Sequence, residues 1–571
     1  MHGAAPPEST TAPAPTSHRD TPSLRWLAWM AGLATLLWFA SLGTRSLISP
    51  DEGRYATLAL EMARSGDWIT PRLNGLLYFE KPALQYWIGA LSFKCLGITE
   101  FAARLGPGLA GFLTVVIVGW TSWRLWGREV GLQALAIAAS TTWIVGNSHF
   151  LTLDAGLTLF LTLTLCSVLL AMRHDASPGR VAHDARRRWI WIAWAAMAGA
   201  VLSKGLIGIA IPGGVLLTVS LWRRDMALLR GMRWGSGAVI FLALAAPWFV
   251  LMSLRHPEFA NFFFIHEHFT RYLTTEHRRE GAWWYYLPIL LAGALPWTGG
   301  LAWSLKPDRR HGETDGPPID SRDVLIVWSL FILLFFSASG SKLPSYILPM
   351  FPALAMLVAL RIRDARPSTL RWHLGVPTLV WLAALIASTQ YGRLVSPSAP
   401  PEALSAIAMA VRLACVVFLL GAAAAWWHLG RRQTTAAVLC MALGHFVATT
   451  LVLQGHDRFG QLKSSAALST VLLPLLQPDT PVFAVRSYDQ TLPFYLRRDV
   501  VLVDYADEFA LGQRLEPWKS IPTLDAFAQR WRSLPQAAAY MNRTTWAALR
   551  QRELPMRIVF EDARRLVVVK Q

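Results

Sequence analysis

Charge is scarce in this 571-residue chain: 16% of its residues are Asp, Glu, Lys or Arg, against about 25% in soluble domains. With 53% hydrophobic residues and a mean hydropathy of +0.35, a soluble globular protein is excluded and an integral membrane protein is expected. Acidic residues are the scarcer sign, 36 against 54 Lys and Arg, for a net charge of +18. The basic residues lie mostly in short loops between apolar runs, which is an orientation signal and not a nucleic-acid stripe. No nucleic-acid partner is expected. Cysteine is rarer still, and four residues do not make a disulfide framework. Cys166, Cys415 and Cys440 fall inside apolar runs, and Cys95 stands alone in a loop or surface helix. A zinc-type CxxC is missing, and so is a signal-peptide cleavage pattern. The first apolar run is long enough to stay as an anchor. Residues 1–22, rich in Pro, Thr, Ala and Ser, are expected to form a disordered cytoplasmic tail.

What is abundant is long apolar sequence. Thirteen segments can form transmembrane helices: 25–44, 104–123, 130–148, 154–172, 189–203, 206–222, 234–253, 284–304, 323–339, 344–360, 374–391, 404–428 and 434–453. With the N-terminus inside, arginine and lysine gather in every inside loop, for example at Arg124 and Arg128, at Arg186 to Arg188, and at Arg361, Arg363 and Arg366. The alternation holds without a slip. It requires that residues 82–98, interrupted by Lys94, lie on the outer surface as an amphipathic helix instead of spanning. Residues 23–455 then form the transmembrane domain, with 45–103 as one long external loop. Residues 456–571 carry charge throughout. β-type runs at Val482–Val485, Val500–Val503, Arg557–Phe560 and Leu566–Val569, with a helical stretch at Thr523–Arg532, predict a small soluble α/β domain outside. It lacks a nucleotide-binding glycine pattern, so no nucleotide cofactor is expected.

Ionisable groups at membrane depth are costly and by default mark a functional pathway. Five separate segments bring them to the outer face. The first loop gives Asp51, Glu52, Arg54, Glu80 and Lys81; the mouth of the fourth span gives Asp154; Lys204 sits between spans five and six. The loop 254–283 gives His266, Glu267, His268 and Arg271, and the turn at 337–346 gives Lys342 and Tyr346. Taken singly, each could be an interfacial anchor or a solvated loop charge. Together, Lys81, Arg54, Arg271 and Lys342 could neutralise a phosphate. The carboxylates could stabilise positive charge on a sugar ring or bind an amine. Glu80 with His266 or His268 could ligate a divalent metal, although histidines at i and i+2 do not share a helix face.

The run PDEGRYATLALEMARSGDWITPRLNGLLYFEKPALQYW, from Pro50 to Trp87, resembles the first periplasmic loop of the bacterial 4-amino-4-deoxy-L-arabinose lipid A transferases. These are protein-mannosyltransferase-like glycosyltransferases of the GT-C type. The likeness continues at Leu153-Asp154, Ser203-Lys204-Gly205, Glu267-His268-Phe269-Thr270-Arg271, Trp283 to Pro288, and Ser341 to Tyr346. It implies a polytopic GT-C fold and a donor in which undecaprenyl phosphate carries the amino sugar. The implied acceptor is a phosphate of lipid A, on the periplasmic face of a Gram-negative inner membrane, and the implied consequence is resistance to polymyxin-type peptides. Membrane lipids are the surroundings, and a monomer is expected.

The expected chemistry is attack of a lipid A phosphate oxygen on the anomeric carbon, with inversion and departure of undecaprenyl phosphate. Lys81, Arg54, Arg271 and Tyr346, with Lys342, are assigned to the donor phosphate. Asp51 and Asp154 steady the sugar or its ammonium group, and Tyr55, Glu52 and Lys204 support it. By the family pattern Glu80 pairs with a histidine, His266 or His268, at a metal such as zinc. One rival is a related transferase acting on protein hydroxyls, for which Asp51 could serve as base. A polytopic transporter is another, but it predicts midplane charges and internal repeats, neither of which the sequence contains.

Overall fold

The computed structural model describes residues 22–173, 180–270, 281–306, 319–396 and 399–571, without the side chains of 266–270. All thirteen apolar segments contain helix. Among the described residues nine helices are long and apolar enough to cross a membrane by length and composition. The other four segments depart for visible reasons. Segment 130–148 is split into Arg128–Ser140 and Thr142–Ser148, where Thr141 turns extended. Segment 284–304 is split at Pro296 into Tyr286–Gly293 and Thr298–Ser304, since proline cannot continue the hydrogen-bond ladder. Arg180–Lys204 is long but begins with a charged stretch, and Ile207–Arg223 has 17 residues.

Local chemistry sets the ends of the elements that matter here. The first helix, α1 (Leu24–Ala40), is capped by Ser23, whose side chain accepts from Trp26 N–H. Helix α2 (Asp51–Ser65) places Asp51 and Glu52 in its first turn, where the helix dipole favours anions, and stops at Gly66 with φ 72°. Residues 72–77 form a tight hairpin, β1 (Arg72–Leu73) against β2 (Leu76–Leu77), around Asn74 and Gly75, both at positive φ. Asn-Gly is the strongest short hairpin signal a sequence carries, and the hairpin is a feature beyond those expected above. Helix α3 (Leu84–Leu96) has 13 residues, too few to span. That agrees with its assignment as a surface element, and Lys94 sits over the Trp68 ring at 5.4 Å. Helix α4 (Glu100–Trp126) starts at the Thr99 cap and ends at Gly127.

Within the bundle, contact between helices relies on small residues, as expected where lipid offers no hydrophobic drive. Helices Pro401–Gly430 and Thr434–Gly455 meet at Gly421 and Gly444, where a Cβ on Gly421 would stand 2.9 Å from Gly444 Cα.

The C-terminal unit is a six-stranded sheet of order β5-β4-β3-β6-β8-β7. Its strands are β3 (Val482–Val485), β4 (Val501–Val503), β5 (Ser520–Ile521), β6 (Ala538–Met541), β7 (Met556–Glu561) and β8 (Leu566–Lys570). β5, β4, β3 and β6 run parallel, and β8 and β7 complete the sheet antiparallel. The four expected runs are strands; β5 and β6 are additions. Ala538–Met541 escaped notice because alanine is a weak strand former, yet as an interior strand it is buried throughout. Helix Leu524–Ser533 covers one face, with Phe527 and Trp531 against Phe483 at 5.2 and 6.2 Å between ring centres. The loops that leave the carboxyl ends of β3 and β4 point at α2.

Candidate active site

The start of α2 is bolted in place by a buried ion pair. Arg104, fully buried on α4, donates to Glu52 Oε1 at 2.6 Å and Oε2 at 2.9 Å. Its other donors reach the carbonyls of Leu42, Arg45 and Ser46. Glu52 also accepts from the N–H groups of Ile48 and Leu151. Burial alone would push this carboxyl up, but Arg104 holds it below its ordinary value. Glu52, expected to support the sugar, therefore does not line the main cavity and acts as a structural bolt. In the sequence Arg104 stands only as the first residue of an apolar segment, which gives no sign of this role.

With Glu52 held inward, its neighbour Asp51 faces a cavity of about 1160 Å³. Asp51, Arg54 and Tyr55 line this cavity from α2, Glu80 and Lys81 from the segment after the hairpin, and Asp154 from the mouth of Asp154–Arg173. Lys204 and Tyr346 complete the set. Eight of the residues expected from sequence thus share one wall-to-wall space, although they come from four regions of the chain.

Their pairing is specific. Asp154 accepts from Lys204 Nζ on one oxygen and from Ser345 Oγ at 3.0 Å on the other. Lys204 Nζ also lies 4.7 Å from the centre of the Tyr346 ring, a cation–π distance. Arg54 donates through Nη1 to Asp51 at 2.8 Å and through Nε to Glu508. Lys81 Nζ donates to the Glu80 carbonyl at 2.8 Å. Of the two central carboxylates, Asp51 is the more open, with 47% of its side chain exposed against 9% for Asp154. The Tyr55 phenol is pushed up by burial and then by Asp51, so it stays protonated and able to donate.

Three expectations fare differently. Lys342 is 8% exposed and donates to the Ser339 carbonyl at 2.6 Å. It caps the end of helix Ser321–Ala338 and does not line the cavity, although Leu343, Ser345 and Tyr346 do. A cation there is favoured by the helix C-terminus. The side chains of His266 and His268, and all of Arg271, lie outside the described residues. Among the described residues no group of three or more His, Cys, Asp or Glu could hold a metal.

The cavity also has a wall that sequence reasoning did not foresee. Asp507, Glu508, Leu511 and Arg514 of the C-terminal unit line it. A second cavity of about 460 Å³, mostly apolar, shares Pro50, Asp51 and Thr152 with the first. Asp51 thus stands between a polar chamber and an apolar one, an arrangement suited to a charged head group on a lipid.

Comparison with known proteins follows the same outline. A family model described as dolichyl-phosphate-mannose-protein mannosyltransferase matches residues 23–263, and one described as aminoarabinose transferase C-terminal domain matches 468–570. The chain is 34% identical over 327 residues to the undecaprenyl phosphate-alpha-4-amino-4-deoxy-L-arabinose arabinosyl transferase of Erwinia tasmaniensis, covering 57% of each chain. Over 367 residues it is 34% identical to the Aeromonas salmonicida protein of the same description, covering 62% of this chain and 65% of that one. The matched stretch therefore spans about three fifths of these curated relatives' length. The crystal structure of ArnT from Cupriavidus metallidurans bound to undecaprenyl phosphate superposes with a TM-score of 0.90 at 36% identity, covering 96% of this chain and 98% of that one. Its apo form gives 0.89 at 36% identity, covering 95% and 98%.

Proposed function

This chain, a polytopic membrane protein, belongs to the family of undecaprenyl phosphate-aminoarabinose arabinosyl transferases, and we propose that it moves 4-amino-4-deoxy-L-arabinose from undecaprenyl phosphate to a phosphate of lipid A. One observation carries the proposal: a single cavity gathers Asp51, Arg54, Glu80, Lys81, Asp154, Lys204 and Tyr346, and it opens beside an apolar chamber. The site lies in the inner membrane protein's periplasmic part, with the N-terminus cytoplasmic and the C-terminal domain periplasmic. The loop arginines favour that orientation. No nucleotide sugar is available there, and a lipid-linked donor meets the need. The protein acts as a monomer, and its product lowers the negative charge of lipid A and so resists polymyxin-type peptides.

In the step itself, an acceptor phosphate oxygen forms a bond to the anomeric carbon as the bond from that carbon to the donor phosphate oxygen breaks. The electron pair leaves with undecaprenyl phosphate. A phosphate is already ionised near neutral pH, so no strong general base is required. The larger demand falls on the leaving group and on the oxocarbenium-like centre. Lys81, Arg54 and Arg271 neutralise the leaving phosphate, with Tyr346 and Tyr55 donating hydrogen bonds. Asp51 and Asp154 stabilise positive charge on the ring or the sugar ammonium, and Lys204 keeps Asp154 aimed. Glu80 with His266 or His268 would hold a divalent metal such as zinc, which would supply positive charge to the site. Metal analysis of the purified protein tests that assignment.

The decisive experiment is mass spectrometry of lipid A from cells lacking the protein, complemented with wild type, Asp51→Asn or Lys81→Ala. A pentosamine increment should return with wild type and be lost in both variants when they are correctly inserted. Lipid A unchanged by wild type would refute the acceptor, and an increment of another mass would change the sugar.

A further inference from the structure

Helix α2 is joined to the C-terminal domain at its first turn, and the joint is unusually close. A Cβ on Gly53 would stand 2.4 Å from the Gln490 carbonyl carbon and from Thr491 N, so the two backbones touch where only glycine fits. Gln490 is 7% exposed and follows β3. Its side-chain oxygen accepts from Ser49 Oγ, and its amide nitrogen donates to Glu508 Oε1 at 2.8 Å. Glu508 follows β4, and its other oxygen receives Arg54 Nε. Arg54 in turn holds Asp51. Both loops leave the carboxyl ends of parallel strands, the edge where open α/β sheets characteristically carry ligands. In this protein that edge is turned onto the transferase cavity.

Consider what Arg54 would do without this arrangement. A guanidinium offered one carboxylate closes on it in bidentate fashion, which would neutralise Asp51 and withdraw it from a substrate. Glu508 takes the Nε side, so Arg54 is shared and Asp51 keeps an oxygen facing the cavity. Glu508 has 6% of its side chain exposed, and a buried carboxylate needs its lone pairs satisfied. Gln490 satisfies the oxygen that Arg54 does not.

We propose that Gln490 is a positioning residue for sugar transfer: by fixing Ser49 and Glu508 together, it sets the division of Arg54 between Glu508 and Asp51. The C-terminal domain is then part of the reacting site. This rests on the transferase function proposed above. Gln490 touches no reacting atom and acts through Glu508 and Arg54.

The test uses purified full-length protein with undecaprenyl phosphate-linked aminoarabinose and lipid A. Gln490→Ala leaves a buried carboxylate oxygen without its donor, which lowers kcat by about tenfold to a hundredfold and affects KM for the donor less. A pH profile adds a second readout. Burial pushes the Glu508 carboxyl up, Arg54 pulls it back only in part, and Gln490 also lowers it while Glu80 raises it; Tyr488 and Tyr505 are the titratable groups of its own domain around it. Protonating Glu508 releases Arg54, so activity falls as pH drops through its raised pKa. In Gln490→Ala that acidic limb moves to higher pH, and in Glu508→Gln it disappears at a uniformly low rate. Arg64→Ala removes another contact between α2 and this domain, to the Arg497 carbonyl at 2.7 Å, and should leave kcat within about twofold. Wild-type kcat and an unmoved acidic limb in Gln490→Ala would overturn the proposal. If that variant does not fold, a wild-type profile in Glu508→Gln would overturn it equally. Absence of transfer by wild type would instead refute the transferase function.

Discussion

Replacing Glu52 by alanine should loosen the start of α2 far more than a typical surface substitution would. Glu52 accepts four hydrogen bonds, two from Arg104 and one each from the N–H groups of Ile48 and Leu151. Without it, Arg104 keeps three carbonyl acceptors but loses the carboxylate it is hydrogen-bonded to in a fully buried setting. Removing one partner of a buried ion pair costs about 3–5 kcal/mol. The two orphaned N–H groups belong to the same network and are not added separately. At about 1.36 kcal/mol per tenfold, local opening should become roughly two to four orders of magnitude more frequent. Hydrogen exchange by mass spectrometry, on detergent-solubilised protein, reads this directly in peptides covering residues 45–60 and 148–156. The double variant Glu52→Leu/Arg104→Met should recover most of the protection, because apolar packing replaces a buried pair at little cost. Protection in Glu52→Ala within about threefold of wild type would refute the bolt.

Lys204→Met leaves Asp154 buried with Ser345 as its remaining donor among the described residues, so transfer should fall at least about a hundredfold; near-wild-type rates in a lipid A transfer assay would contradict the pairing. A separate pH effect comes from Glu61, whose carboxyl accepts from Gly75 N–H. Burial, then the nearby Asp499 charge, raises its pKa well above the usual value. A raised acid binds protons more tightly folded than unfolded, so its contribution is present below the ordinary glutamate value, near 4.3, and is lost as pH rises through the folded value. The thermal midpoint of wild type should therefore decline with rising pH, and Glu61→Gln should flatten that decline. Parallel pH curves for the two proteins would exclude Glu61 as the source.

Legibility in the sequence followed the range of the signal. Apolar runs and loop arginines report on each segment alone, so the helices of the bundle could be located without knowing their neighbours. Breaks such as Thr141 and Pro296 could not, since an interrupted helix keeps the same composition. Asp51, Asp154 and Lys204 were legible because charge is rare at such positions and stands out against apolar surroundings. Glu508 and Gln490 were not, because acids and amides are ordinary in a polar domain. Their placement after β-type runs at Val482–Val485 and Val500–Val503 was the available clue. Lys342 misled for the reverse reason: a lysine within a turn at the membrane edge has the composition of a site residue, and only the Ser339 carbonyl beneath it reveals a helix cap.

The sign of the cavity bears on what it selects. Among the described residues lining it, six are carboxylates (Asp51, Glu80, Asp154, Glu258, Asp507 and Glu508) and four are cations (Arg54, Lys81, Lys204 and Arg514). A site built only to grip two phosphates would carry the opposite excess, since each bound anion needs a positive partner. The imbalance makes sense if the substrate brings a positive charge of its own. An amino sugar does so with its ammonium group, and the ring gains further positive charge as its bond to the leaving phosphate stretches. Arg54 and Lys204 hold Asp51 and Asp154 in place beforehand, so little reorganisation is needed when the cationic ring arrives. A neutral sugar would leave part of this carboxylate excess uncompensated, so a neutral-sugar donor is expected to react more slowly than the amino-sugar donor in a competition assay, and equal rates would refute this reading.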